Sequence, residues 1–251
     1  MAERLADKRA RARQILRRLE ARYPDATIAL RFTSPLELLV ATILAAQCTD
    51  ERVNQVTASL FGKYRSAADY AAADPIRFED EIRSTGFFRA KTRAILGMAR
   101  ALLERHGGEV PRTLEELTAL PGVGRKTAHV VLGNAFGVPG IAVDTHVFRV
   151  TQRLGLAKSH DPNLVEAQLV QVIPEPRRTR FCHLIQAHGR QACLARSPGC
   201  PACPVRALCP WPGKTAVMGQ GSAAAPRVAT APRRGGRRRR GVAGRAGRRR
   251  G

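Results

Sequence analysis

Four of the six cysteines in this chain fall within seventeen residues, as Cys193, Cys200, Cys203 and Cys209 in a C-x6-C-x2-C-x5-C pattern. The N-terminus carries no hydrophobic signal core. Cysteines clustered this closely without a signal peptide point to a metal site rather than to disulfides. Thiolates select zinc or iron–sulfur centres, and four of them suit either, so spacing leaves both open. Pro198, Gly199, Pro201 and Pro204 let short loops fold around one site. Cys48 and Cys182 stand outside the pattern and are expected to be small buried hydrophobes.

What the rest of the chain meets is suggested by its charge. Forty-three Lys and Arg against twenty Asp and Glu give a formal net charge of +23 over 251 residues. Such an excess favours a polyanion, because each phosphate neutralised releases condensed counterions. Eleven Arg and no acidic residue lie between Arg227 and Gly251, and subtracting them still leaves +12. Nucleic acid is therefore the leading partner for the folded part as well. Residues 213–251 are Gly, Ala, Pro and Arg with few large apolar side chains. They are expected to be a disordered Arg-rich tail, since they cannot offset the entropy of ordering. No apolar run approaches the roughly 20 residues that span a bilayer, so no membrane partner is expected. The Arg-rich N-terminus also carries Glu3, Asp7 and Glu20, and Leu5, Ala12, Ile15, Leu16, Leu19 and Tyr23 recur at helical spacing. That predicts a packed amphipathic helix rather than a transit peptide, and a cytoplasmic location.

Helix signals dominate the remainder. Ser34-Pro35-Leu36-Glu37 places a capping Ser, a first-turn Pro and a capping-box Glu ahead of the apolar run Leu38–Ala46. A second pattern runs from about Arg89 to Arg105 and stops at Gly107-Gly108. Thr113-Leu114-Glu115-Glu116 opens a short helix that ends at Pro121. The β-prone triplets Val130-Val131-Leu132 and Ile141-Ala142-Val143 are short and adjoin helix signals. The expected fold class is all-α.

Between two helices lies Leu120-Pro121-Gly122-Val123-Gly124-Arg125-Lys126-Thr127-Ala128. Gly122 and Gly124 permit a tight turn and close backbone approach to a ligand. The unpaired N–H groups of a helix starting there form an anion site, which would hold phosphate without reading bases. A purely structural turn is the competing reading. Eighteen residues beyond Lys126, Asp144 opens another helix, either as its N-cap or as a carboxylate facing Lys126. A free lysine, with a pKa of about 10.4, becomes a nucleophile only when desolvation or a nearby base supplies the neutral amine.

Taken together, residues 120–128, Val143-Asp144-Thr145-His146, the four-cysteine pattern and Leu44-Ala45-Ala46-Gln47-Cys48-Thr49-Asp50 resemble the endonuclease III family, in the family's order and over roughly residues 1–212. The resemblance implies a helix–hairpin–helix DNA glycosylase with AP lyase activity, acting on double-stranded DNA that contains damaged bases or abasic sites. It implies two helical lobes with a DNA cleft between them. A six-helix lobe at 28–138 would hold the hairpin, and residues 1–27 with 139–212 would hold a 4Fe–4S cluster on Cys193, Cys200, Cys203 and Cys209. Lys126 matches the family's nucleophile and Asp144 its catalytic carboxylate. DNA contacts fall to Gln47, which would fill the hole left by a flipped nucleotide, and to Phe87, Gly122, Val123, Gly124, His146 and Arg196. A monomer is expected.

Three departures from the family pattern stand out. Phe87 occupies a position usually held by a smaller aliphatic wedge, although a Phe can still insert between bases. Only Arg196 provides positive charge between Cys193 and Cys200, where several basic residues are usual. The Arg tail lies outside the family pattern. An adenine-removing relative would typically lack Lys126 and add a recognition domain that 213–251 cannot form. A non-catalytic DNA-binding or redox-sensing protein would need neither Lys126 nor Asp144.

Overall fold

Local capping starts most of the helices. A computed structural model describes residues 3–216, and every regular element in it is helical. The helices are α1 (Leu5–Arg22), α2 (Pro35–Leu44), α3 (Asp50–Lys63), α4 (Ala67–Ala71), α5 (Pro75–Ile82), α6 (Phe88–His106), α7 (Leu114–Thr118), α8 (Arg125–Ala135), α9 (Thr145–Arg153), α10 (Pro162–Val172), α11 (Arg178–Gln191) and α12 (Gly213–Ala216). Ser34, Thr113 and Asp144 each accept the amide three residues on, satisfying one of the donors a helix start leaves open. Glu37 departs from the expected capping box: its Oε2 accepts from the backbone N–H and hydroxyl of Thr33, one residue before the cap. The Gly107-Gly108 stop forms as expected, with Gly107 left-handed and the Gly108 amide bonded to the Leu102 carbonyl at 2.9 Å. Val130-Val131-Leu132 lies inside α8, and Ile141-Ala142-Val143 is irregular chain.

Two hydrophobic cores form. The first gathers apolar faces of α2 to α8, including Leu38, Leu44, Ile95, Met98 and Val131. An aromatic triad of Tyr64, Tyr70 and Phe78 anchors one end, with stacked tyrosines and an edge-on phenyl ring. The second gathers Ala12, Ile15, Leu16 and Leu19 of α1 with Val147, Val150, Leu169, Phe181 and Ile185 of α9, α10 and α11. The N-terminal helix thus packs one face as its spacing predicts, except that Leu5 stays 44 % exposed at its first residue. Arg180 of α11 holds the end of that helix by donating to the carbonyls of Tyr23, Pro24 and Ala26.

The cores meet along α8, which packs on α2 and α7 on one side and touches α11 on the other. Gly133 allows that approach, because a Cβ there would lie 2.5 Å from Thr179 Oγ1 at the start of α11. The first four residues of the expected disordered tail form the helical turn α12, and residues 217–251 lie outside the described residues.

Candidate active site and cysteine pocket

The hairpin between α7 and α8 is set by its apolar ends. Leu120 and Val123 are buried in the first core, and the Val123 amide closes the turn onto the Leu120 carbonyl at 3.2 Å. Gly122 is required twice over: its φ is +74°, and a Cβ would meet that of Ala94 on α6 at 2.5 Å. Gly124 precedes α8 in extended conformation and offers no side-chain cap, so the first amides of α8 are free to bind an anion. Lys126 lies exposed on that first turn and, among the described residues, makes no hydrogen bond or ion pair.

Lys126 and Asp144 line the same open cleft, of about 860 Å³, together with Gln47, Cys48, His146 and Arg190. A narrower pocket beside it is also lined by Lys126 and Asp144, and reaches His129 and Cys182. Asp144 is also the N-cap of α9, its Oδ1 accepting from the Val147 amide at 2.7 Å. Its Oδ2 makes no hydrogen bond among the described residues, so capping and chemistry can use different oxygens. Burial holds the His146 imidazole below its usual range, against the opposing pull of Asp144 and with the help of Arg149 and Arg190. Arg149 Nη2 approaches His146 Nδ1 at 3.2 Å. A guanidinium can only donate, so Nδ1 carries the lone pair and Nε2 the proton.

Other expected site residues stand outside the cleft. Phe87 is 64 % exposed and left-handed at φ 48°, immediately before α6. Gln47, which lines the cleft itself, is likewise left-handed at φ 52°. Gly122, Val123 and Gly124 form the hairpin, and Arg196 is exposed beside Ser197, the third left-handed non-glycine residue described. Residues that local pattern did not single out also shape the site. Arg190 of α11 pairs with Asp50 of α3 at 2.8 Å, and both line the cleft. Glu166 of α10 accepts from Arg125 and lies 2.9 Å from His129 Nε2, clasping both ends of the first turns of α8. Each of these contacts joins the two cores.

All four cysteines of the pattern are free thiols lining one separate pocket, with His188, Val205 and Trp211. Cys193 follows α11, Cys200 and Cys203 bracket a 3₁₀ turn, and Cys209 follows another. Burial raises the Cys200 and Cys203 thiols, and charge on the neighbouring cysteines raises them further. Among the described residues no three Cys, His, Asp or Glu side chains converge closely enough for a single ion. Four thiols lining one pocket suit a zinc ion or an iron–sulfur cluster. Helix α9 ties this pocket to the cleft. Arg149 and Arg153 on it donate to the carbonyls of Cys193, Leu194 and Ala195, Arg153 lies 3.3 Å from the Cys193 sulfur, and Asp144 caps its other end. Cys182 is buried as expected, its thiol pushed up to about 12, whereas Cys48 is only half-buried at the cleft.

The chain matches endonuclease III of Synechocystis sp. at 50 % identity, over 84 % of its own length and 96 % of the relative. It matches endonuclease III of Escherichia coli at 41 %, over 83 % and 99 %. Residues 40–175 fit the family model described as HhH-GPD superfamily base excision DNA repair protein. The chain belongs to the endonuclease III family. Two solved structures of family members agree in fold. One is a non-covalent endonuclease III–DNA complex, with TM-score 0.80 and 44 % identity over 84 % of this chain and 99 % of that one. The other is a trapped endonuclease III–DNA covalent intermediate, with TM-score 0.79 and 44 % identity over 84 % and 98 %.

Proposed function

We propose that this member of the family is a base-excision-repair DNA glycosylase with AP lyase activity, taking oxidised pyrimidines and abasic sites as substrates. The observation that carries this is the pairing of an unpartnered Lys126 with Asp144 in one open cleft, in a family whose members include one trapped covalently on DNA. The damaged nucleotide leaves the stack, because its sugar carbon is unreachable inside the duplex. The neutral amine of Lys126 attacks C1′, and the C1′–N bond breaks with its electron pair going to the departing base, which takes up a proton. Ring opening gives a protonated Schiff base. Loss of a C2′ proton then breaks the C3′–O bond and expels the 3′ phosphate, and water later frees Lys126. Asp144 Oδ2 accepts the lysine proton and stabilises positive charge on the sugar, while Oδ1 keeps the helix cap.

In this reading the two cores are two lobes, 28–138 and 1–27 with 139–212. The amides at Gly122, Val123 and Gly124 hold a backbone phosphate, Phe87 wedges the stack, and Gln47 fills the vacated space. His146 and Arg196 add contacts. Cys193, Cys200, Cys203 and Cys209 hold a 4Fe–4S cluster, which would cross-link the C-terminal loops and give the protein one-electron capacity. A cytoplasmic location goes with this reading.

Borohydride is expected to trap wild-type protein on abasic-site DNA, and Lys126→Ala to abolish the trapped species. No trapped species from the wild type would overturn the lyase reading. Anaerobically purified protein is expected to absorb at roughly 400 nm; a colourless protein with bound zinc would replace the cluster by an ion.

A further inference from the structure

Lys91 is 4 % exposed on the core face of α6, among Ile95, Met98 and Ala99. Its ammonium donates to the Leu44 carbonyl at 2.7 Å and to the Thr85 carbonyl at 2.8 Å. Among the described residues no carboxylate pairs with it. Burial lowers its pKa, with only the Cys48 thiol opposing. A helix face that needed only to pack would place an apolar side chain here, because a buried cation without a counter-charge is costly. The two carbonyls explain its presence. Leu44 ends α2, and Thr85 ends the 3₁₀ turn Arg83–Thr85. The C-terminal carbonyls of such turns are unpaired and carry partial negative charge.

Each carbonyl lies just ahead of a strained residue. Gln47 comes three residues after Leu44 and Phe87 two after Thr85, and both are left-handed non-glycine residues. Such conformations persist only where the surroundings over-determine them. One ammonium thus fixes the roots of the two strained tips, which come from segments far apart in sequence.

We propose that Lys91 is a positioning residue that sets the spacing and attitude of Gln47 and Phe87, so that both enter the DNA stack together. This rests on the reading that those two side chains enter DNA. A neutral side chain of the same volume would fill the space without holding the two carbonyls together.

The test uses full-length protein and a duplex that carries a tetrahydrofuran abasic analogue opposite 2-aminopurine, whose fluorescence rises when the stack opens. Lys91→Met is expected to lower the rate or amplitude of that rise by about tenfold to a hundredfold, since a misplacement near 1 Å can cost about a hundredfold. Affinity for undamaged duplex, which needs no insertion, is expected to stay within about twofold. Lys91→Arg, with donors for both carbonyls, is expected to recover part of the signal. A parallel loss of both readouts, or no loss of fluorescence, would overturn the proposal. Lys91→Gln, judged by the same criteria, serves if Lys91→Met does not fold. Failure of both to fold makes Lys91 a stability element and also overturns it. Gln47→Ala and Phe87→Ala separate the two layers. If they keep the fluorescence rise, the insertion reading is wrong and the inference falls with it. If they lose it while Lys91→Met keeps it, the positioning inference alone fails.

Discussion

At Asp144 one carboxylate oxygen accepts the Val147 amide, and the residue lines a cleft shared with Lys126. The two roles can be separated because asparagine caps a helix about as well as aspartate does. Asp144→Asn should therefore melt within about 0.5 kcal/mol of wild type while borohydride trapping slows by roughly 10²- to 10⁴-fold, the usual worth of a positioned acid or base. Asp144→Ala should lose the cap as well, costing about 1 kcal/mol more. Thermal melts and trapping time courses on the same three proteins check both numbers. A wild-type trapping rate in Asp144→Asn would remove the carboxylate from the chemistry.

Helix α8 carries Lys126 in its first turn, and its placement depends on α10. Burial alone would raise the Glu166 carboxyl. The hydrogen bonds and charges of His129 and Arg125 outweigh that and hold it below the usual carboxylate range. A carboxyl lowered in the folded state stabilises the fold above its unfolded-state pKa, and that stabilisation is lost as the pH falls through the lower folded value. Glu166→Gln should accordingly cost about 2 kcal/mol at neutral pH, the scale of a charged hydrogen bond with one partner half-exposed. The gap to wild type should narrow as the pH drops through and below about 4.3. Urea midpoints at pH 7 and in acid measure it; a gap that is constant with pH would mean that the clasp is not ionic. At this scale the sequence is readable wherever one turn governs. Caps at Ser34, Thr113 and Asp144 and the stop at Gly107 are local events, decided by groups three to six residues apart. The Glu166 clasp spans 41 residues and the Lys91 bridge 47, and no periodicity announces either.

For the whole molecule, charge and architecture separate. Residues 217–251 carry eleven of the 43 basic residues. Their removal should weaken DNA binding and flatten the slope of log affinity against log salt by about 0.9 for each phosphate left without its arginine. Trapping on abasic DNA at low salt should persist. An unchanged slope in anisotropy titrations would leave the tail without a part in binding. The cut belongs after Ala216, not at Pro212 where composition changes. Lys214 donates to the Cys209 carbonyl, and Arg153 lies 4.4 Å from the centre of the Trp211 ring, so the cysteine pocket extends past the last cysteine.

The four-cysteine pattern, the helical periods and the Gly-rich turn before Lys126 are properties of neighbours in the chain, and the sequence alone determines them. Lys126 and Asp144 stand out in it only through the resemblance of their motifs to the endonuclease III family. Tertiary structure decides what surrounds them. Arg190 reaches Asp50 across 140 residues, the four thiols line one pocket, and Lys91 joins two loops that no local rule connects. Backbone hydrogen bonds and side-chain periods act within a few residues, whereas a buried charge finds its partner only after the chain has brought distant carbonyls to it.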